Sequence, residues 1–179
     1  GGNSIGLVNG ENRGDLFAVD LNSGNPTDWS PNINGSIWDL EQKGNLIYAA
    51  GSISSFGDIV AINKTDAIPI DLGIETNNNV FDIELVEDKI LAAGSFSSIN
   101  SESAPYFAVI NDDATLQPGM PDFSSTLRKI SFREDTLLAG GRFLRVNNEP
   151  VRYFASLDLN VDGSNQKQDQ TIAFPGIST

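Results

Sequence analysis

The chain has 179 residues, 24 acidic against 11 basic side chains for a net charge of −13, and neither cysteine nor histidine. That balance excludes nucleic acid and anionic membrane surfaces as partners, because phosphate backbones are held by clustered Lys and Arg and no basic run occurs. The missing cysteine removes disulfides and thiolate metal sites, and the missing histidine removes Ser-His, Cys-His and His-metal arrangements together.

No apolar run approaches the roughly 18 residues of a membrane span, so no membrane insertion is expected. The chain opens on Gly1-Gly2-Asn3 with no starting Met and no targeting segment, which reads as a piece of a longer or processed chain. Asn, Ser, Asp and Gly are interleaved with short β-branched and aromatic runs, a pattern of many strands and turns. No sustained 3.6-residue apolar period occurs, so almost no helix is expected.

In chain order, Ile5–Gly10 resembles the end of a strand seen again at Phe96–Asn100, and Phe17-Ala18-Val19-Asp20 forms the next strand. Ile37-Trp38-Asp39-Leu40 opens a fuller unit, which continues through Ile47-Tyr48-Ala49-Ala50-Gly51-Ser52-Ile53 and Val60-Ala61-Ile62-Asn63. The same three elements return as Val80-Phe81-Asp82-Ile83, Ile90–Phe96 and Phe107–Asn111. They return again as Leu127-Arg128-Lys129-Ile130, Leu137–Phe143 and Phe154–Asp158. Gly51, Gly94 and Gly141 lie 43 and then 47 residues apart, and the other two markers keep the same step.

Such a period is the mark of a repeat architecture. Each unit parses into four short strands. In the best-formed copy the first runs near 80–86, with Val80, Asp82 and Glu84 on one face and Phe81, Ile83 and Leu85 on the other. A turn at Glu87-Asp88 leads to a second strand near 89–96. A polar loop from Ser97 to Ala104 leads to a third near 105–111, and a weak fourth lies near 114–118.

The expected fold is therefore all-β: four-stranded antiparallel β-propeller blades, three full and most of a fourth, forming part of a larger propeller. The unit boundaries are 5–35 (partial), 36–78, 79–125 and 126–174, within one segment, 1–179. The remaining blades are expected from a longer parent chain or a second copy. The small Ala49-Ala50-Gly51 and its copies suit a close approach of sheets, and Tyr48, Phe96, Phe107, Phe143 and Phe154 suit the wider space between them. The polar loop of the second unit is cut short at 54–58.

Leu138–Phe143, Ala92–Phe96 and the Asp28-Trp29-Ser30-Pro31 element, with a looser copy at Pro121-Asp122-Phe123-Ser124, resemble delta-60 type, kelch-like propeller repeats. The resemblance spans roughly residues 5 to 174. It implies a secreted or cell-surface protein, and it leaves function to be argued from sites.

Several local motifs bear on function. Asp158, Asn160, Asp162 and Asp169 fit the start and twelfth position of a calcium loop, so calcium is the one cofactor suggested. The repeat offers a second reading, in which Asp158 ends a third strand and Asp162-Gly163 is a hairpin turn. Arg13-Gly14-Asp15 matches an integrin tripeptide, but three-residue matches are common and the expected reading is a turn with a chance sequence. Asn34 and Asn63 head glycosylation triplets that have meaning only in a secreted eukaryotic chain. Arg142, Arg145 and Arg152 surround one polar loop, where salt bridges to the abundant acids are expected.

Asp39 and Asp82 hold equivalent first-strand positions, with Lys129 in the third copy. Carboxylates repeated in this way would raise each other's pKa, and a repeated position serves the unit rather than a single reaction. No catalytic set is found, so the expected function is non-enzymatic binding or scaffolding in an exported or cell-surface protein. Its contacts to a protein or glycan would run through polar loops that include Ser97, Asn100, Arg145, Asn147 and Asn148. The alternatives are part of a propeller carbohydrate-active enzyme and a spacer in a large adhesin.

Overall fold

The computed structural model describes residues 7–8, 10–12, 14–54, 56–159 and 161. These residues are all-β, arranged in several antiparallel sheets, with no helix among them.

A short hairpin, β1 (Leu7–Val8) and β2 (Glu11–Asn12), comes first. The first large sheet is a four-stranded meander of β3 (Gly35–Lys43), β4 (Leu46–Ile53), β5 (Ile59–Asn63) and β6 (Pro69–Ile70). The second has β7 (Val80–Val86) and β8 (Lys89–Gly94). A small hairpin of β9 (Ser98–Ile99) and β10 (Glu102–Ser103) follows, and β11 (Phe107–Ile110) completes the sheet. The third repeats that plan with β12 (Leu127–Arg133), β13 (Thr136–Gly141), the hairpin β14 (Arg145–Val146) and β15 (Glu149–Pro150), and β16 (Phe154–Asp158).

The core lies between consecutive sheets. Leu91, Ala93, Phe107 and Val109 of the second sheet pack against Ile130, Leu137, Ala139, Ala155 and Leu157 of the third. On the other side of the second sheet, Ile83, Ile90, Ala92, Ala108 and Ile110 meet Ala50 and Ile59 of the first, with Tyr48 partly buried beside them. Strands β5, β8 and β11 are thus covered on both faces, which is why they read as unbroken apolar runs rather than alternating ones. Each fully buried Leu or Ile contributes roughly 1.5–3 kcal/mol.

The register departs from the sequence reading in four places. First, every opening strand carries a bulge, between Ile37 and Asp39, Val80 and Asp82, and Leu127 and Lys129. The extra residue ends strict alternation: Val80, Asp82 and Ile83 are all buried, and Phe81 is set aside from them. Second, Ile59 pairs with Ala50 as Phe107 pairs with Ala93, so Ile59, not Val60, is the counterpart of Phe107. The shortened loop explains the one-residue offset. Third, the full-length polar loops are hairpins, β9–β10 and β14–β15, with no equivalent between β4 and β5 among the described residues. Fourth, the last strand of the unit at 79–125 is a single bridge, Ile110 to Leu116.

Phe96, Phe107 and Phe143 fill the core as expected, but Phe154 does not. It lies on the far face of the third sheet with Leu138, 49% and 40% exposed, whereas their counterparts Phe107 and Leu91 are 2% and 0% exposed. The third sheet covers the earlier pair, and nothing among the described residues covers the later one.

Candidate functional site

Two groups of side chains recur from sheet to sheet: one at the polar hairpins, the other on the opening strands.

At the hairpins, Asn100-Ser101 and Asn147-Asn148 have positive φ at both central positions, the pattern of a tight two-residue β-turn that Asn tolerates well. The Asn100 Oδ1 accepts from Glu75 N at 2.8 Å, and the Asn147 Oδ1 accepts from Asp122 N at 2.8 Å. These amides tie the turn to the segment preceding the same unit's opening strand. Ser97 is held likewise, its N–H and Oγ bonded to the Asn77 side chain. Arg145 donates to Asn148 O at 3.3 Å within its own hairpin, and both side chains are exposed.

The structure therefore divides the sequence-predicted loop residues. Asn100, Asn147 and Ser97 shape the loops, whereas Arg145 and Asn148 are offered to solvent. The salt bridges expected of Arg142, Arg145 and Arg152 do not form among the described residues, where the ion pairs run through Lys43 and Lys129. The shortened loop instead carries Asp58, which accepts from Ile53 N at 3.1 Å and from the Thr76 hydroxyl, while burial pushes its carboxyl up from the ordinary value.

On the opening strands the bulges bring side chains of neighbouring sheets into register. Asp39 Oδ2 accepts from Ile83 N of the second sheet at 2.9 Å. Asp82 Oδ2 accepts from Ile130 N of the third at 2.7 Å, and its other oxygen takes the Lys129 ammonium. Lys129 also lies 3.9 Å from Asp39, so one cation joins carboxylates of two other sheets.

Beside this ladder the bulged residues stack. The Trp38 and Phe81 ring centroids are 4.9 Å apart, and the Arg128 guanidinium lies 4.1 Å over Phe81. Sequence reading found the equivalence of Asp39, Asp82 and Lys129 but missed this stack. A bulge has no fixed residue signature, and only the pairing reveals it.

The electrostatics follow from burial more than from repetition. Desolvation pushes Asp82 up to about 6 against the Ile130 N–H and Lys129, and the Asp39 charge adds only a minor part. Glu41 is raised by burial first, then by Asp39 and Glu84. The Asp82 carboxylate in turn raises Lys129.

Of the calcium-loop residues, Asn160, Asp162 and Asp169 lie outside the described residues. Asp158 ends β16 opposite Thr136, where Asn63 stands in the first sheet and Asn111 in the second. At that place Asn63 Oδ1 accepts from Thr65 N, and in the partial unit Asp20 Oδ1 accepts from Asn22 N and Ser23 N. The position is used for a turn in both cases. The turn reading predicts no heat on calorimetric titration with calcium and an unchanged melting temperature; a saturable exotherm would decide for the ion.

Among the described residues no helix is long and apolar enough to cross a membrane. No protein-family model matches the chain, and neither does any curated protein.

Proposed function

We propose that the sheets are blades of a β-propeller, three full and most of a fourth, belonging to a larger ring completed by a longer parent chain or a second copy. The protein then serves as a non-enzymatic binding or scaffold module of an exported or cell-surface protein, touching a protein or glycan through its polar hairpins. Face-to-face packing of successive antiparallel sheets supports the propeller. One observation carries the non-enzymatic reading: the recurring carboxylates Asp39 and Asp82 are spent on backbone N–H groups of the next sheet. A glycosidase needs two carboxylates free to face a sugar.

The exposed Arg145, Asn148 and Glu149 at the β14–β15 turn, with Glu102 at the neighbouring hairpin, form the surface offered to a partner. The test is capture of surface protein and glycan from the source organism on the immobilised chain. Arg145→Ala combined with Asn148→Gly, which keeps the positive φ of that turn position, is expected to lower retention at least tenfold with a little-changed melting temperature. Undiminished retention would remove the loop face from consideration. Glycoside turnover by the parent protein, lost on replacing its acids, would favour the enzyme alternative. Full binding after deletion of these sheets would favour a spacer.

A further inference from the structure

Between the first and second sheets, at the end of β8 away from the polar hairpin, lies a cavity of about 190 Å³. Every residue lining it falls within the described stretch from 43 to 112, so both walls belong to sheets already on the page. Tyr48, Leu85 and Ile90 contribute apolar walls, and Lys43, Lys89 and Asp112 stand at the rim.

The repeat does not require this cavity. In register, Lys43 corresponds to Val86, Leu85 to Phe132 and Asp112 to Leu159. At the junction of the second and third sheets those three apolar side chains join one core, with Leu159 0% exposed. At the first junction two of the three positions are charged and the third is smaller, so the equivalent space stays open and gains a polar rim. Forgoing that burial costs stability, and sheet packing gains nothing from it.

The rim offers both kinds of polar partner. Lys43 donates to Glu87 O and, at 2.9 Å, to Asp88 Oδ1, which straps the two sheets together beside the cavity. Lys89 donates to Asn111 Oδ1 at 2.7 Å and keeps two further N–H donors. Neither the Asp112 carboxylate nor the Tyr48 hydroxyl makes a hydrogen bond among the described residues. With ammonium and carboxylate groups side by side, a ligand of either net charge is attracted by one and repelled by the other. A neutral ligand whose hydroxyls donate and accept at once suits both. The apolar walls and the Tyr48 ring call for a C–H face on the same molecule. The volume lies below the roughly 300 Å³ where pockets for drug-sized ligands begin, so it takes a single ring.

We propose that this cavity binds one neutral hexopyranose unit. Its hydroxyls bond to Lys89, Asp112 and the Tyr48 hydroxyl, and its C–H face lies on the apolar walls. The site is at the opposite end of the sheets from the polar hairpins and is independent of what they bind.

The probes are the methyl glycosides of glucose, galactose and mannose, each titrated into the full 179-residue chain and followed by ligand-observed NMR. At least one is expected to bind saturably and one-to-one, with a Kd on the order of 1 mM. Tyr48→Phe and Asp112→Ala should each weaken that binding at least fivefold. Lys43→Val combined with Asp112→Leu copies the filled junction; it should abolish binding and leave the melting temperature unchanged or higher. Tyr48→Phe removes a single oxygen and keeps the test valid if the filled variant fails to fold. The proposal is overturned if none of the three glycosides saturates, or if these variants bind as the parent does. Saturable binding of leucine that the glycosides do not displace would also overturn it, and would give the cavity to a zwitterionic amino acid.

Discussion

Asp82→Ala is expected to lower the unfolding free energy by about 2 kcal/mol at pH 7 in urea denaturation, because it leaves the buried Ile130 N–H without an acceptor. Lys129, largely exposed, finds water instead and adds little to the loss. Asp39→Ala should cost about half as much, since Asp39 is less deeply buried and holds Lys129 only at 3.9 Å beside its bond from Ile83 N.

The same residue sets a pH dependence. Burial raises the Asp82 pKa to about 6, so the folded state binds its proton more tightly than the unfolded chain does. The stabilisation from that proton is complete below about pH 4 and is lost as pH rises through about 6. A shift of this size corresponds to about 3 kcal/mol. Asp82→Asn keeps an acceptor for Ile130 N–H but cannot titrate. Relative to that variant, the parent protein should therefore lose up to about 3 kcal/mol between pH 4 and 6.5. Parallel stability curves would refute the assignment.

Gly51→Ala is the more drastic change. A Cβ there would collide with the Ser36 carbonyl oxygen and come within 3.1 Å of Ile37 Cα, both backbone atoms that cannot swing aside. The Gly94 and Gly141 positions meet Asn79 O and Thr126 O in the same way. Gly51→Ala should cost upward of about 3 kcal/mol, the scale of overpacking a well-filled core, seen as a lower urea midpoint or loss of soluble protein. Gly140→Ala, one residue before Gly141, is the control. Its nearest neighbour would be Lys129 O at 3.8 Å, and Ala already stands at the counterpart positions 50 and 93. That change should be neutral or stabilise by up to about 1 kcal/mol.

These glycines show what the sequence could disclose. Gly51, Gly94 and Gly141 stood out by spacing because a close approach of backbones tolerates no substitute, so geometry left a mark on composition. Asp39, Asp82 and Lys129 were legible as equivalents for the same reason. Their use was not, since nothing in the residue types says that a carboxylate will cross to the next sheet. The bulges were hidden because alternation in sequence assumes a regular pleat, and one extra residue breaks it. The Ile59 register was hidden because the three-residue match Val60-Ala61-Ile62 is degenerate to a shift of one when its neighbour Ile59 is also apolar and both faces are buried. Phe154 was misplaced because sequence equivalence with Phe107 carries no information about whether a neighbour stands on that side. Of the site, the loop positions were visible as polar insertions. Which of their amides bend inward to hold the turn depended on tertiary contacts such as Asn100 to Glu75.

The carboxylate ladder has a direction, and direction imposes order. Each hook belongs to one sheet and each eye to the next: Asp39 reaches Ile83, Asp82 reaches Ile130, and none reaches backward. At the third sheet the hook is replaced by Lys129, which turns back toward the carboxylates behind it. The units are consequently not interchangeable beads. A duplicate of the sheet bearing Asp82 could be spliced in beside itself and find a matching eye, whereas the sheet bearing Lys129 can receive a hook but offers none. The order of the three sheets is thus written in the position of a single charge reversal.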